Sequence, residues 1–594
     1  MRDAAATVVA LVERHCASRG SAVAVELPDG RTRTYDDLYR RVGQIGSLLE
    51  PLLSASRASV AVDLPNGLDF CAAVIAVLGS GATLFAVDRT QPAARVAGML
   101  SAIEPAALVT DRSDGAVAAA TPDSAAIVDV SPGKFAARDD WRPDPAGPDA
   151  PAYIVFTSGT TGTPKATVNT HAGLHNHMLF MQDVCPLPPG SRVLLKSARS
   201  FDAWILEFFW AFTQGHTLVL ADEERATDAQ YLATELTLRS IHGFVGVPSL
   251  LQRVFSVLRH TAAETALRIV ISAGEPLKAE LAKTILTSTT AQLFNFYGPA
   301  EAAIDVAYCA VAMPVTDPIP IGQPIPGNRL MIRDDESNDI TPTGNRGELV
   351  VSGVHVGLGY AGDERATAAK FTIEGGAERS YATGDLAFLG PDQNFYIGGR
   401  VDTQVKINGV RIETEEIESC LLRHETVIDC TVQVANSSDV PVLVAFLQVN
   451  RDAPPQTVYI NYLRRLLPPV MVPPAYVFLS EFKYLPSGKK DVSQLRYPRG
   501  LPTATAAEFE TPDGPMEKAL AEIWESVLGV APVGALDQFS LIGGESLKMI
   551  DTLVNVSESV YPDIFTLGIT RLSTVRDLAH KIQLAQKTRE VHEH

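Results

Sequence analysis

From about residue 20 to residue 400, short β-rich apolar runs alternate with segments of helical spacing. The runs fall at 59–63, 83–87, 107–110, 153–156, 192–196, 217–221, 243–247 and 268–272. Most are continuously apolar, as expected of strands covered on both faces, so the pattern predicts an α/β architecture of layered, largely parallel sheets. The longest apolar stretch, 70–87, has the length of a membrane span, but Gly79-Ser80-Gly81 divides it into a buried helix, a turn and a strand. At the start of the chain, the apolar run 4–12 predicts a short helix capped by Asp3. Between about 396 and 499 the rhythm changes to a smaller α+β unit with strands at 427–434 and 441–449. A stretch rich in Pro, Thr, Ala and Glu at 501–514 reads as a linker. Beyond it Met516, Leu520, Ile523, Trp524 and Val527 stand at helical spacing, and further helices are expected at 546–557 and 575–587. Together these predict a helical bundle of about 70–80 residues, a size that can fold alone.

Composition leaves that architecture standing and narrows the partners. The 594 residues suggest several folding units, and 46% apolar with 20% charged residues is a globular balance. Fifty Lys and Arg against 69 Asp and Glu leave a net charge of −19, which disfavours nucleic acid and anionic membrane. The six cysteines are scattered without a CxxC pair, a usage that fits a reducing compartment better than a disulfide scaffold or zinc ribbon. The N-terminal run lacks a small-residue cleavage site, so a cytoplasmic protein is expected. His592 and His594 read as a frayed terminus, not a metal site.

The densest chemistry follows the run at 153–156: Thr157-Ser158-Gly159-Thr160-Thr161-Gly162-Thr163-Pro164-Lys165. Two glycines let backbone amides converge, five hydroxyls add donors and Lys165 adds a positive charge, a concavity suited to a polyphosphate. The Walker spacing is absent, and the plainer reading is a polar surface turn.

This loop resembles the signature of adenylate-forming enzymes, specifically the adenylation domains of nonribosomal peptide synthetases. The resemblance continues in order through Thr34-Tyr35 to Leu38, Phe201-Asp202 and Asn295-Phe296-Tyr297-Gly298-Pro299-Ala300-Glu301. Gly347-Glu348-Leu349, Tyr381-Ala382-Thr383-Gly384-Asp385-Leu386, Gly399-Arg400-Val401-Asp402-Thr403-Gln404-Val405-Lys406-Ile407 and Pro486-Ser487-Gly488-Lys489 follow, so it covers nearly the whole chain. It implies a large N-terminal domain of layered mixed sheets over 1–400 and a small α+β subdomain over 401–500. A linker at 501–514 and a four-helix-bundle carrier domain over 515–588 complete the implied order. The implied reaction has two halves. A carboxylate attacks the α-phosphate of ATP, releasing pyrophosphate, and a thiol then takes the acyl group from the adenylate.

By the same resemblance, Thr157, Ser158, Gly159, Gly162, Gly274, Glu275, Tyr297, Asp385 and Arg400 would bind the nucleotide. Tyr297 would lie along the adenine, Gly274-Glu275 would border it, and Asp385 would accept from the ribose hydroxyls. Taken alone, Asp385 could equally cap a turn and Tyr297 could be core. Thr160, Thr161, Lys165 and Lys489 would carry the catalysis, and Glu301 would hold Mg²⁺, a hard ion suited to a carboxylate. Lys489 would bridge the substrate carboxylate and the α-phosphate as a compact charge on a flexible stem. Ser487 and Lys490 replace the usual Asn and Val there, which makes Lys490 a rival. Asp402 matches the hinge about which the small domain turns, and Ala300 stands where the family usually has Thr.

The residues matching the family's substrate positions are Asp202, Ala203, Leu206, Gly246, Ile271, Ala273, Phe296, Ile304 and Asp305, beside Lys489. A buried carboxylate wants a cation, so Asp202 would pair with the α-ammonium of an amino-acid substrate. Asp305 is a second acid among apolar residues. It would seek a donor from the substrate side chain, pointing to Arg, Lys, ornithine or His, or to Tyr; alternatively it pairs with a protein group.

Downstream, Asp537-Gln538-Phe539-Ser540-Leu541-Ile542-Gly543-Gly544-Glu545-Ser546-Leu547 resembles the peptidyl-carrier motif, with Glu545 where Asp or His is usual. A serine at a helix start is by default an N-cap. The resemblance makes Ser546 the attachment point of 4′-phosphopantetheine and implies a phosphopantetheinyl transferase as partner. An MbtH-like protein and a downstream tailoring or condensation enzyme are further implied partners. No His-His-x-x-x-Asp-Gly or G-x-S-x-G motif occurs, so a separate enzyme would take the thioester. The rival classes are a stand-alone acyl-CoA ligase, against which Asp202 and Ser546 argue, and a non-catalytic scaffold, against which the retained loop, Glu301, Asp385 and Lys489 argue.

Overall fold

The computed structural model describes residues 7–53, 58–131, 141–144, 146–158, 164–334, 339–341, 345–374, 378–401, 404–407, 410–435, 442–450, 454–483, 490, 495, 511–528, 533–535, 539, 546–564, 567 and 573–592. The chain forms two compact units, Met1–Glu413 and Thr414–His594.

In the first unit the continuously apolar runs become strands that are buried along their length. Ser59–Asp63, Thr83–Ala86, Ala107–Thr110, Thr217–Leu220, Gly243–Gly246 and Ile269–Ser272 show no solvent-facing position. They join two layered sheets. A seven-stranded sheet runs Gly359–Tyr360, Lys165–Thr170, Pro151–Thr157, Thr83–Ala86, Ser59–Asp63, Ala107–Thr110, Ala126–Asp129. A nine-stranded sheet runs Gln323–Pro324, Ala307–Val311, Gln292–Tyr297, Ile269–Ser272, Gly243–Gly246, Arg192–Leu195, Thr217–Leu220, Val23–Glu26, Thr32–Thr34. The helix Ala203–Thr213 is apolar nearly all round, and every residue from Trp204 to Thr213 is buried. The stretch 70–87 divides as its glycines require. The helix Leu68–Gly79 ends before Gly81, whose φ of +70° suits a residue without Cβ, and the strand Thr83–Ala86 follows.

Two expectations are corrected. The first helix is Val8–Ser18 with Thr7 at its N-cap position, later than the run 4–12 suggested, and Asp3 lies outside the described residues. The amphipathic face of Val8, Val9, Leu11, Val12 and Cys16 sets that start. The sheets are also less parallel than the runs suggested. Each large sheet has antiparallel pairs at its margins, and Asn328–Arg333, Arg346–Gly353, Glu378–Leu389, Phe371–Glu374 and Phe395–Arg400 form a third, wholly antiparallel sheet. One face of that sheet closes on its own core of Leu330, Ile332, Leu349, Val351 and Tyr381. A two-stranded hairpin, Val405–Ile407 with Val410–Ile412, ends the unit.

In the second unit, Val427–Ala435, Val442–Val449 and Ala475–Leu479 form a three-stranded sheet, with the helices Thr414–Leu421 and Gln456–Arg464. Three helices follow among the described residues: Gly514–Leu528, Ser546–Ser559 and Val575–His592. Leu520, Trp524, Phe539, Leu553, Val556, Leu578 and Ile582 join in one core there, with Trp524 set edge-on to Phe539 at 4.8 Å. No helix among the described residues is long and apolar enough to cross a membrane.

Candidate active site

Parallel strands of the nine-stranded sheet end in register, Gly246 beside Ser272 and Ser272 beside Asn295. Gly246, Ile271, Ala273 and Phe296 therefore gather at neighbouring carboxyl ends, where ligands bind to sheets of this kind. Phe296 sits in an aromatic cluster, 5.7 Å from Phe180 and 6.4 Å from Tyr308. Ala203 and Leu206 lie on the helix Ala203–Thr213, and Asp202 occupies its N-cap position without making a side-chain cap.

After the strand Gln292–Tyr297 the chain folds tightly on itself. A Cβ on Gly298 would stand 2.2 Å from the Ile304 carbonyl oxygen, so only glycine fits. Ala303 and Ile304 adopt φ of +34° and +75°, a conformation that is strained for a β-branched residue and clusters at functional sites. Neighbours clamp the segment. Asn169 accepts from the Ala303 amide at 3.1 Å and donates to the Ala300 carbonyl at 2.9 Å, and His355 Nδ1 lies 2.7 Å from the Asp305 carbonyl.

Asp202 and Asp305 are brought within electrostatic reach of one another and of Tyr153. Burial first, and then Asp305, push the Asp202 carboxyl up to about 7. Its Oδ2 is buried with no hydrogen-bond partner among the described residues, and the same holds for the hydroxyl of Tyr153, a residue 1% exposed. Asp305 is different: His177 Nε2 lies 3.3 Å from its Oδ2. One donor to Asp305 thus comes from the fold itself, as the alternative of a protein partner expected.

Residues expected at the nucleotide converge from three segments. The Tyr297 hydroxyl donates to Asp385 Oδ2 at 2.5 Å, and Arg400 Nη1 meets Asp385 Oδ1 at 2.5 Å. Tyr297 also packs into the core of the third sheet, as its plainer reading expected. Glu275 accepts from the Ser249 amide at 2.9 Å and hydroxyl at 3.1 Å, which engages its carboxylate at the amino end of the helix Pro248–His260. Thr157, at the end of the strand Pro151–Thr157, pairs antiparallel with Lys165, the first residue of Lys165–Thr170. The Lys165 ammonium stands 5.2 Å from the centre of the Tyr360 ring.

Glu301 is wholly buried. Arg411 Nη1 reaches both its oxygens, at 3.1 and 2.9 Å, and the Tyr360 hydroxyl donates to Oε1 at 2.9 Å. Ser158 Oγ donates to the Arg411 carbonyl at 3.0 Å. Burial would raise the Glu301 carboxyl, but the Arg411 charge and these hydrogen bonds hold it below its usual value. No group of three or more metal-ligating side chains occurs among the described residues. A single ionised carboxylate still fits Mg²⁺, which keeps most of its ligands as waters and substrate phosphates.

Gly159, Thr160, Thr161, Gly162, Asp402 and Lys489 lie outside the described residues, and of Ser546 only its place at the start of the helix Ser546–Ser559 is described. Lys490 is described: its ammonium meets Asp429 Oδ1 at 2.5 Å and the Cys430 carbonyl at 2.6 Å. Sequence reasoning missed Asn169, His177, His355, Tyr360 and Arg411. One signal was available, the three histidines of the helix His171–Val184 at His171, His175 and His177.

A family model described as AMP-binding enzyme matches residues 12–361. Tyrocidine synthase 3 of Brevibacillus parabrevis is 34% identical over 99% of this chain, which spans 9% of that protein. Phosphinothricin tripeptide synthetase PhsB of Streptomyces viridochromogenes is 32% identical over 95% of this chain and 48% of its own length. The solved structure of holo-PA1221, described as a nonribosomal peptide synthetase protein containing adenylation and PCP domains, superposes with a TM-score of 0.78 at 25% identity, covering 98% of this chain and 97% of that one. The chain belongs to the AMP-binding enzyme family, as an adenylation protein of the nonribosomal peptide synthetase type.

Proposed function

We propose that this chain uses ATP to activate an amino acid as its aminoacyl-adenylate and passes it, as a thioester, to a phosphopantetheine arm on its own Ser546. The observation that carries the amino-acid reading is Asp202, an acid at a helix start that makes no cap and keeps Oδ2 buried without a partner. An α-ammonium supplies the missing cation. The unpartnered Tyr153 hydroxyl beside Asp202 and Asp305 supports a substrate with a polar head, either basic (Arg, Lys, ornithine or His) or phenolic. Mg²⁺, when bound at Glu301, neutralises phosphate charge. The chain's own contribution is to orient two anions in line: Asp202 holds the amino acid, the 157–165 loop cradles phosphates, and Tyr297, Asp385 and Arg400 hold the nucleoside.

Lys489 is proposed as the lysine that bridges both reactants. The engagement of Lys490 with Asp429 and Cys430 supports that choice between the two. The domain division we propose is 1–400, 401–500, a linker at 501–514 and a four-helix carrier at 515–588, with Asp402 as hinge. The apolar core shared by three carrier helices supports the last of these. A phosphopantetheinyl transferase, an MbtH-like protein and a downstream tailoring or condensation enzyme are the proposed partners. Amino-acid-dependent pyrophosphate exchange tests the first half-reaction. A polar-headed amino acid should lead the panel, and an aliphatic winner would overturn the substrate reading. Incubation with a phosphopantetheinyl transferase and CoA should add one arm to the wild type and none to Ser546→Ala.

A further inference from the structure

Asp305 ends the clamped loop, and its surroundings are built from two histidines that the adenylation chemistry does not use. His177 and Asp305 lie 128 residues apart in sequence, yet Nε2 and Oδ2 meet at 3.3 Å, with side chains 0% and 5% exposed. His177 stacks on His355, ring centres 5.6 Å apart and planes 28° off parallel, and Phe180 closes its edge at 5.9 Å. The protonation of this stack can be read from its partners. Asn176 Nδ2 donates to His355 Nε2 at 2.9 Å and to the Pro326 carbonyl at 2.7 Å, so Nε2 accepts. The proton of His355 therefore sits on Nδ1 and points at the Asp305 carbonyl, 2.7 Å away. Burial drives both imidazoles down to about 3, so both are neutral. A neutral His177 facing a carboxylate carries its proton on Nε2 and donates.

The two imidazoles thus hold Asp305 twice, one at the side chain and one at the backbone. A neutral donor orients the carboxylate without placing a charge beside it. Its neighbours here are Asp202 and the hydroxyl of Tyr153.

We propose that His177 is a positioning residue for side-chain selection: by donating to Asp305 it fixes the carboxylate that reads the side chain of the activated amino acid. This rests on the reading of Asp202 and Asp305 as an amino-acid site. The test is the ratio of kcat/KM in pyrophosphate exchange for the preferred amino acid over alanine. It is measured in wild type, His177→Gln, His177→Phe, Asp305→Asn and His177→Phe with Asp305→Asn. Loss of a hydrogen bond to a charged group corresponds to about tenfold to hundredfold. His177→Phe keeps a ring on His355 and removes the donor, and the ratio should fall by that factor. His177→Gln keeps a donor and should hold the ratio near wild type. The double variant should fall no further than Asp305→Asn alone. The KM for ATP should be unchanged throughout, which a general packing defect would not allow.

A ratio that follows the ring and not the donor, or falls multiplicatively in the double variant, overturns the proposal. Should the His177 variants fail to fold, histidine side-chain ¹⁵N spectra decide it. The His177 Nε2 resonance should shift in Asp305→Asn, and an unmoved resonance overturns the assignment. The wild-type panel separately decides whether the preferred amino acid is polar-headed. An aliphatic winner would sink that reading while leaving the His177–Asp305 coupling readable.

Discussion

Glu301 and Asp202 are both acids drawn out of water, close enough that each feels the other's charge. Glu301 is met inside the chain by Arg411 and by Tyr360, and its carboxyl stays below the ordinary value. Asp202 has a neighbouring acid and a buried oxygen without a partner, and its carboxyl rises to about 7. A fold that builds a complete ion pair around one carboxylate and not around the other marks the second as a place completed from outside. On the proposed function, the first would serve stability as well as Mg²⁺, and the second would bind substrate at a cost to stability.

Stability should separate the two acids most sharply. Glu301→Gln removes the counter-ion that the half-buried Arg411 guanidinium meets and should destabilise the protein by about 1.5–3 kcal/mol, read by chemical denaturation. Asp202→Asn should move the melting temperature the other way while lowering kcat/KM for the amino acid by about a hundredfold or more, with the KM for ATP unchanged. Equal losses of stability in both variants would erase the distinction.

A smaller effect follows pH. The Asp202 carboxyl titrates near 7 in the folded chain against 3.8 ordinarily, so the folded form keeps a proton that the unfolded form gives up. Its contribution to stability is complete below about pH 4 and is lost as pH rises through 7. Binding runs opposite, because an ammonium needs the ionised acid. Amino-acid kcat/KM should rise between pH 6 and 8 with an apparent pKa near 7, set by burial and by Asp305. A flat profile across that range would contradict the geometry. The smallest effect belongs to Lys490, whose pair with Asp429 is partly exposed at 26% and 20%. Lys490→Ala should cost about 1 kcal/mol of stability or less and keep pyrophosphate exchange within a few-fold, whereas Lys489→Ala should abolish it.

The parts of the site legible in the sequence are those set by local pattern. Gly246, Ile271 and Phe296 fall at the ends of apolar runs, and parallel pairing brings such ends together whatever the loops do. The 157–165 loop was conspicuous through its composition. The antiparallel pairing of the strands on either side of it was not, because Lys165–Thr170 alternates weakly. Arg411 and His177 were invisible for another reason: their partners stand 110 and 128 residues away. Nothing local to a residue records which distant acid the tertiary fold will bring to it. The antiparallel third sheet was blurred by bulges in its register, which interrupt the alternation by which such strands are read.

The left-handed pair at Ala303 and Ile304 bears on how such a protein can change its taste. Four neighbours fix that backbone: Gly298 by close approach, Asn169, His355, and Asp202 through the Ile304 amide. Those hydrogen bonds reach backbone atoms of the segment and not the side chains at 304 and 305. On the proposed function, side chains at 304 and 305 could then be exchanged while the backbone contacts that hold the segment remain, so a change of preference would not require those contacts to be rebuilt.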